Sequence, residues 1–203
     1  MLKNKEDVIK VINDTWPHII AECRQVLGSE LHYQAMLYHC FRAYGGVPVD
    51  QLGMNVKQFI SNPTTPLFKK YNEKRHPEYQ GGFEPIPDIA FFSKGVEGDW
   101  RRRNRDNTIQ HIIGVIEVKA SERDQGRLRP KEVIDDIKKL AAHREEVLHR
   151  GGDMATIMMV IDTAPEPKER MTESSLSQVF DFAQPEGVSI YYLSPSGERI
   201  EKF

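Results

Sequence analysis

The chain has 203 residues, of which 39% are hydrophobic and 29% are charged, and its formal net charge at pH 7 is −2. This length suits one well-buried domain, and no Pro-, Gly- or Ser-rich linker divides it. No apolar run approaches the roughly 20 residues of a membrane span, and the overall charge lacks the basic signature of many nucleic-acid-binding proteins. We therefore expect one core and no membrane partner.

The cysteines and the opening segment indicate the compartment. Cys23 and Cys40 are too few and too far apart for a metal or redox motif, and both lie in apolar helical patterns. We expect buried thiols and no disulfide. The opening segment, MLKNKEDVIK, lacks the long apolar region of a signal peptide, so we expect a cytoplasmic protein.

The first 44 residues show three helical patterns. Apolar residues at helical spacing over 5–16 predict a first helix, after which Pro17 marks a break or a fresh helix start. A second apolar stripe covers 19–27, and a third helix is expected over 30–44, before two glycines. We expect the inward face of this third helix to contain Leu31, Ala35 and Tyr38, and a second face to group Glu30, Gln34 and Leu37.

The stretch 47–83 shows little periodicity. VKQFIS suits a short helix or strand, while PLFKKYNEKRHPEYQGG mixes aromatic and cationic residues with breakers. It is either a loop that lies against a ligand or a plain connection, and we expect the connection.

Two β-rich segments follow, over 84–93 and 111–120, and the polar stretch between them suits a long hairpin. RPKEVIDDIKKLAAHREEVLH is then an amphipathic helix, and ATIMMVIDTA reads as a strand buried on both faces. Strand, helix and buried strand form a βαβ crossover. A helix over 173–183 and the strand VSIYYLS complete an α/β domain.

Both hairpin strands carry ionisable residues where apolar ones are expected. Asp88 lies in PIPDIAFFS, and Glu117 and Lys119 lie in HIIGVIEVKAS. Side chains alternate along a strand, so Glu117 and Lys119 share a face about 7 Å apart. One hairpin register places Asp88 next to Glu117.

Two neighbouring carboxylates repel each other, and a divalent cation removes that conflict. Oxygen ligands with open positions suit Mg²⁺ or Mn²⁺ better than zinc. Such an ion activates water and stabilises charge on phosphorus, while Lys119 either orients or deprotonates the water or acts as a cation. The set fits phosphodiester hydrolysis. The structural alternative is an ion pair between Glu117 and Lys119, with Asp88 as a turn residue.

Pro87-Asp88, a spacer of 28 residues and Glu117-Val118-Lys119 resemble the PD-(D/E)XK nuclease superfamily. The resemblance implies a restriction-endonuclease-like core over 30–163, with a mixed central sheet flanked by helices. It leaves 1–28 as an N-terminal helical extension and 164–203 as a C-terminal helix and strand of the same single domain.

The resemblance also implies roles for individual residues. Asp88, Glu117 and the backbone carbonyl of Val118 would bind Mg²⁺, for which Mn²⁺ can substitute, and Lys119 would be the catalytic lysine. Glu30 matches the acidic residue that many members add from the preceding helix. The Gln-x-x-x-Tyr motif of the RecB-type and phage exonuclease branches is missing from VIDDIKKLAAH, which favours an endonuclease of restriction, defence or repair type.

The expected function is therefore Mg²⁺-dependent hydrolysis of DNA. Two alternatives stay open, a non-catalytic nuclease-like module that binds nucleic acid or protein, and hydrolysis of RNA or a small phosphodiester. A homodimer is compatible with cleavage of two strands. Seven arginines around the second strand are expected to contact phosphates: Arg101, Arg102, Arg103, Arg105, Arg123, Arg127 and Arg129.

Overall fold

The structure is a computed structural model that describes residues 1–75, 81–101, 105–124 and 126–203. The helices are α1 (Lys5–Cys23), α2 (Glu30–Ala43), α3 (Pro66–Glu73), α4 (Arg105–His111), α5 (Pro130–His149) and α6 (Glu173–Glu186). The strands are β1 (Leu52–Met54), β2 (Ile60–Ser61), β3 (Gly82–Phe83), β4 (Ile89–Phe92), β5 (Ile112–Ala120), β6 (Ala155–Ile161), β7 (Ser189–Leu193) and β8 (Glu198–Glu201).

Six strands form one sheet in the order β1-β4-β5-β6-β7-β8, and β2 pairs with β3 in a separate two-stranded sheet. Within the large sheet β5, β6 and β7 run parallel, whereas the remaining neighbours are antiparallel. The predicted α/β class with a mixed central sheet is therefore confirmed. The hairpin β4-β5 and the unit β5-α5-β6 are present as predicted, whereas α4 and β8 were not expected.

Each face of the sheet carries its own apolar core. Helices α1 and α2 pack on one face, where Val8, Leu37 and Ile116 are buried. Helices α5 and α6 pack on the other face, where Val133 and Phe180 are buried. Because helices cover both faces, β6 is buried along its whole length, as its unbroken apolar sequence predicts.

The first helix packs closely on the central strands. Val8 of α1 approaches Gly114 of β5 so tightly that a Cβ at Gly114 would lie 2.7 Å from a Val8 methyl carbon. The segment predicted as an extension is thus part of the main core. The absence of a side chain at Gly114 is what lets the helix axis come this close.

The predicted break at Pro17 is wrong, because α1 continues through it to Cys23. Pro17 is exposed, whereas Trp16 and Ile19 are buried in the core. The burial of apolar residues on both sides of the proline outweighs the one helical hydrogen bond that the proline cannot donate. The two expected N-terminal helices are therefore one.

The inward face predicted for α2 is also wrong. Leu31 is 62% exposed, Ala35 is exposed and Tyr38 is half-buried. The sheet is instead covered by the face that contains Leu37 and Phe41, whose ring packs edge-on against Phe91 at 5.1 Å. The number of apolar residues does not distinguish two faces of α2 with similar hydrophobicity. The position of the sheet determines which of them is buried.

The stretch 47–83 contains more structure than a plain connection. Strand β1 forms the edge of the large sheet beside β4. Helix α3 begins after Thr65, whose hydroxyl accepts a hydrogen bond from the Phe68 amide, and Pro66 occupies its first turn. Strand β2 then pairs with β3. These elements are too short for a periodic signal in the sequence.

Two expectations from composition concern the thiols and the membrane. Cys23 and Cys40 are buried and free, as predicted. Burial raises the pKa of the Cys23 thiol to about 12 and that of Cys40 to about 11, so both are protonated at neutral pH.

Among the helices of the described ranges, none combines the length and the apolar character that crossing a bilayer requires.

Candidate functional site

The register between β4 and β5 determines the geometry of the candidate site. Ile89 pairs with Ile116 and Ala90 with Val115 in an antiparallel arrangement. One residue further, the same register places Asp88, just before β4, opposite Glu117. The two carboxylates on which the sequence argument depends therefore lie next to each other at one end of the hairpin.

Asp88 is held in place by three elements. Its Oδ2 accepts a hydrogen bond from the Val118 amide at 2.7 Å, and its Oδ1 accepts one from Gln34 Nε2, also at 2.7 Å. Gln34 lies on α2 and is buried, and its Oε1 accepts a hydrogen bond from Asn55 Nδ2 at 3.1 Å. The backbone amide of Asn55 in turn donates to the backbone carbonyl of Asp88 at 3.0 Å. The carboxylate is thus oriented before any ligand binds.

Lys119 lies between two acidic side chains from different helices. Its Nζ is 3.1 Å from Glu30 Oε2 on α2 and 2.8 Å from Asp136 Oδ2 on α5. Asp136 is only 5% exposed, and its other oxygen is 2.6 Å from Lys139 Nζ. Charges therefore alternate along the chain of contacts Glu30, Lys119, Asp136, Lys139.

The environment raises the pKa of both predicted metal-ligand carboxylates. For Glu117 the main cause is burial, followed by the negative charges of Asp88 and Asp136, and its pKa lies well above the usual value. Burial also raises the pKa of Asp88, although hydrogen bonds from the Val118 amide and with Glu117 and the charge of Lys119 partly oppose the change. Without a cation, ionising both groups is unfavourable.

The environment favours the charged form of Lys119, whereas it disfavours the charged forms of Asp88 and Glu117. Burial by itself lowers the pKa of its ammonium group, but the hydrogen bonds and charges of Asp136 and Glu30 outweigh burial and raise the pKa above its usual value. Lys119 is therefore a cation at neutral pH. Of the two roles open from the sequence, this favours stabilisation of negative charge over removal of a proton from water.

A cavity of about 370 Å³ opens beside these residues. Glu30, Lys119 and Asp136 form part of its wall, and Arg123 and Glu132 line it further out. Arg123 hydrogen-bonds the Glu132 carboxylate, which raises the pKa of Arg123 and lowers that of Glu132. Five acidic and three basic side chains line the cavity, so it is a charged cleft in which acids outnumber cations.

The other predicted arginines are more dispersed. Arg101 forms two 2.7 Å hydrogen bonds with the carboxylate of Asp99. Arg127 Nε donates to the Lys168 carbonyl at 3.1 Å, and the Arg129 amide donates to a Glu132 oxygen at 3.0 Å. Arg102 and Arg103 lie outside the described residues, and the side chain of Arg105, on α4, is not described. Contact of this group with phosphates stays a prediction.

The donor atoms fit a hard divalent cation only in part. Asp88 and Glu117 supply carboxylate oxygens with raised pKa, which a cation would relieve. Glu30 lines the polar cavity, whereas Asp88 and Glu117 do not, and the Glu30 carboxylate is bound to Lys119. Within the described ranges, no three His, Cys, Asp or Glu side chains are grouped closely enough to hold a metal ion. A bound ion would therefore need water or substrate oxygens in addition to these carboxylates.

Several members of this network were not predicted as site residues. Gln34 was placed on the same helical face as Glu30, but its contact with Asp88 could not be foreseen. Asp136 and Lys139 lie in an ordinary amphipathic pattern. The one available signal was the position of Asp136 on α5 between the buried residues Val133 and Ile137, where a charged side chain needs a partner.

Replacing Glu117 by Gln should raise the free energy of unfolding at pH 7 in EDTA, because burial and neighbouring acids disfavour its ionised form. The folded-state pKa is raised, so this carboxyl group favours folding only below its unfolded pKa and loses that contribution as pH rises through the folded pKa. A neutral amide removes the cost. Urea denaturation should therefore show a larger gain at pH 7 than at pH 5. A loss of stability would instead indicate a structural ion pair.

Comparisons with protein-family models, with curated proteins and with solved structures gave no match for this chain. A functional assignment therefore depends on the geometry of Asp88, Glu117 and Lys119 and on the groups that surround them. These groups combine oriented carboxylates, a lysine held as a cation and an open polar cleft.

Proposed function

We propose that the protein is a divalent-metal-dependent nuclease of the PD-(D/E)XK type that hydrolyses DNA phosphodiester bonds. The observation that carries this proposal is the register that places Asp88 opposite Glu117, with Lys119 two residues further along β5. Three ionisable groups thereby meet at one end of a hairpin that is otherwise apolar. Burying such groups costs free energy, so their grouping favours a functional site over a stabilising one.

The order of elements supports the restriction-endonuclease-like form of the proposal. Helix α2 precedes the hairpin, α5 follows it, and β6 lies parallel to β5. Helix α5 presents Asp136 and Lys139 to the site, with no Gln-x-x-x-Tyr motif. These features favour the endonuclease type over the exonuclease branches.

Each residue then has a role that its contacts support. Asp88 and Glu117 would bind Mg²⁺ or Mn²⁺, joined by the Val118 carbonyl as the resemblance implies. When bound, the cation supplies charge that polarises the phosphate and acidifies water. Gln34 and the Val118 amide orient Asp88. The ammonium group of Lys119 stabilises the negative charge that develops on the phosphate oxygens in the transition state.

Glu30 has two possible positions in this scheme. In the described arrangement its carboxylate binds Lys119 at 3.1 Å. Glu30 would bind the cation only through a water molecule, or after breaking its contact with Lys119. Its first role is therefore to hold Lys119 in place. Glu30→Gln should therefore weaken activity less than a change at Glu117.

The alternative is a nuclease-like module that binds nucleic acid or protein without cutting it. One observation favours it, because both Asp88 oxygens already accept hydrogen bonds and Lys119 is already paired with two acids. Calorimetric titration separates the two functions. A nuclease binds Mn²⁺ in a manner that depends on Asp88, and a binding module does not.

The proposal is tested by incubating the purified protein with plasmid, single-stranded, branched and RNA substrates in Mg²⁺, Mn²⁺ or EDTA. Cleavage should require the cation and should be lost in Asp88→Asn and Glu117→Gln. Asp14→Asn is the matched control, since Asp14 is an exposed acid that pairs with Lys10 on α1. Equal cleavage by the site variants and the control would assign the activity to a contaminant or to another site.

A further inference from the structure

A second pocket, of about 300 Å³, adjoins the candidate site. Glu117 lies in its wall, and Lys139 lines both this pocket and the polar cavity. The remaining wall is largely apolar, in contrast to the charged cavity, and includes the aromatic residues Phe68, Tyr71 and Phe83. The two openings therefore share residues but offer different chemistry.

The three aromatic rings form one cluster with similar orientation. The Phe68 and Phe83 ring centres are 4.3 Å apart, those of Tyr71 and Phe83 are 5.5 Å apart, and the interplanar angles are 32° and 34°. Phe68 is fully buried, whereas Tyr71 and Phe83 are half-buried. The guanidinium of Arg75 lies 5.5 Å from the centre of the Phe83 ring. The aromatic rings therefore line the pocket as one cluster, and Arg75 contacts that cluster through Phe83 without lining the pocket itself.

The pocket is attached firmly to the site. The segment from Phe83 to Pro87, which directly precedes Asp88, forms part of its wall and contains two prolines. The backbone amide of Gln58 donates to the Pro85 carbonyl at 3.1 Å. A hydrogen bond connects the turn before α3 to α5, because the Thr65 amide donates to Glu146 Oε1 at 2.7 Å. The pocket wall is thus connected both to α5 and to the segment that carries Asp88.

We propose that this pocket binds one unpaired nucleobase of the substrate strand, beside the phosphodiester that the candidate site would cut. The inference rests on the proposed nuclease function and deepens it. Aromatic faces stack on any base, and basic groups alongside bind the backbone, which is how sequence-tolerant single-strand sites are built. Lys139, at the junction of the pocket and the cavity, is the cation that would face the phosphate between them.

The inference specifies the form of the substrate. A base in an intact duplex is paired and stacked on its neighbours, so it can enter the pocket only after being turned out of the helix. Turning a base out of the helix costs the least free energy where the strand is already unpaired. We therefore expect single-stranded, gapped or branched DNA to be cut faster than a fully paired duplex of the same sequence.

The first test changes the substrate and leaves the protein as it is. A series of single-stranded oligonucleotides, each with one abasic nucleotide at a successive position, is cut by the wild-type protein in Mn²⁺. Loss of the stacked base should slow cleavage of the adjacent phosphodiester roughly tenfold or more, at one fixed distance from the abasic nucleotide. A uniform rate across the series would overturn the inference.

The second test changes the pocket. Tyr71→Leu and Phe83→Leu keep an apolar side chain but remove the aromatic face, and each should lower the ratio of single-strand to duplex cleavage roughly tenfold. Tyr71→Phe should retain the wild-type ratio. Tyr44→Leu is the control, because Tyr44 is 48% exposed at the end of α2 and lines neither opening. Equal ratios in all four variants would show that no base binds there.

The outcomes separate the inference from the function on which it rests. If the wild-type protein cuts DNA but treats single strands and duplexes alike, and abasic substrates are cut normally, the pocket inference fails and the nuclease function stands. If the wild-type protein cuts no nucleic acid with Mg²⁺ or Mn²⁺, both fail. If the pocket variants alter only binding of a peptide or small apolar probe, the occupant is not a nucleobase and the inference fails.

Discussion

Replacing Lys119 by Met should lower the rate of metal-dependent DNA cleavage roughly 10²–10³-fold, the usual cost of removing one group that stabilises a developing oxyanion. The ammonium group lies between Glu30 and Asp136, which raise its pKa, so it is charged throughout the neutral range. Methionine keeps most of the unbranched side chain, one heavy atom shorter, but supplies no charge. Single-turnover cleavage in Mn²⁺ measures the effect.

The fold should survive this substitution, because Asp136 keeps its contact with Lys139 at 2.6 Å. Circular dichroism and urea denaturation check this directly. Lys10→Met is the matched control, since Lys10 also pairs with an acid but lies exposed on α1. An unchanged rate in Lys119→Met would remove Lys119 from the mechanism, and with it one of the three groups on which the proposed PD-(D/E)XK site depends.

The largest effect on stability is expected at Glu146, a residue with no direct part in the proposed chemistry. Its side chain is fully buried, and its carboxylate accepts hydrogen bonds from the amides of Thr64 and Thr65 and from Arg150 at 2.6 Å. Replacing it by Ala removes the acceptor for all three donors. The free energy of unfolding should fall by about 3–5 kcal/mol, as for other broken buried ion pairs.

The neighbouring residue gives a sharp control. Glu145 is exposed on the same helix, so Glu145→Ala should change stability by no more than about 0.5 kcal/mol. Similar losses in the two variants would show that the buried contacts of Glu146 do not control stability here. Urea denaturation at pH 7 measures both variants.

The effect of Glu146→Ala should also depend on pH. Burial by itself raises the pKa of Glu146, but the Thr65 amide, Arg150 and the Thr64 amide outweigh it, so the pKa lies below its usual value. The carboxylate therefore stabilises the fold above its unfolded pKa, and this contribution is lost as pH falls through the folded pKa. The difference between wild type and variant should shrink below about pH 4.5.

Glu146 also links stability to the proposed site. The turn that it anchors leads into α3, which carries Phe68 and Tyr71 of the aromatic pocket. A partly folded Glu146→Ala protein should therefore lose the preference for unpaired substrates before it loses metal-dependent cleavage, since Asp88 and Glu117 depend on other contacts.

The central elements could be predicted from the sequence because their signals are local. Apolar, β-branched and aromatic residues mark β4 and β5, an unbroken apolar run marks β6, and helical spacing marks α5. The candidate residues Asp88, Glu117 and Lys119 were found for the same reason, since a charge in an apolar strand is visible without any knowledge of the fold.

The failures have equally specific causes. Pro17 was read as a helix break because local propensity disfavours proline, yet burial on both sides overrides that preference. The inward face of α2 was misassigned because Leu31 and Tyr38 are as apolar as the residues that the sheet covers. Strands of two and three residues in 47–83 are shorter than any periodic pattern that predicts them.

By itself the sequence determined the α/β class, the hairpin and the three ionisable groups that lie within it. Only the tertiary structure decided which side chains complete the site, because these contacts join residues far apart in the chain. Gln34 and Asp88 are separated by 54 positions, and Glu30 and Lys119 by 89. No local sequence pattern predicts such a contact. These contacts form because the sheet register and the packing of α2 and α5 bring those side chains to one end of the hairpin.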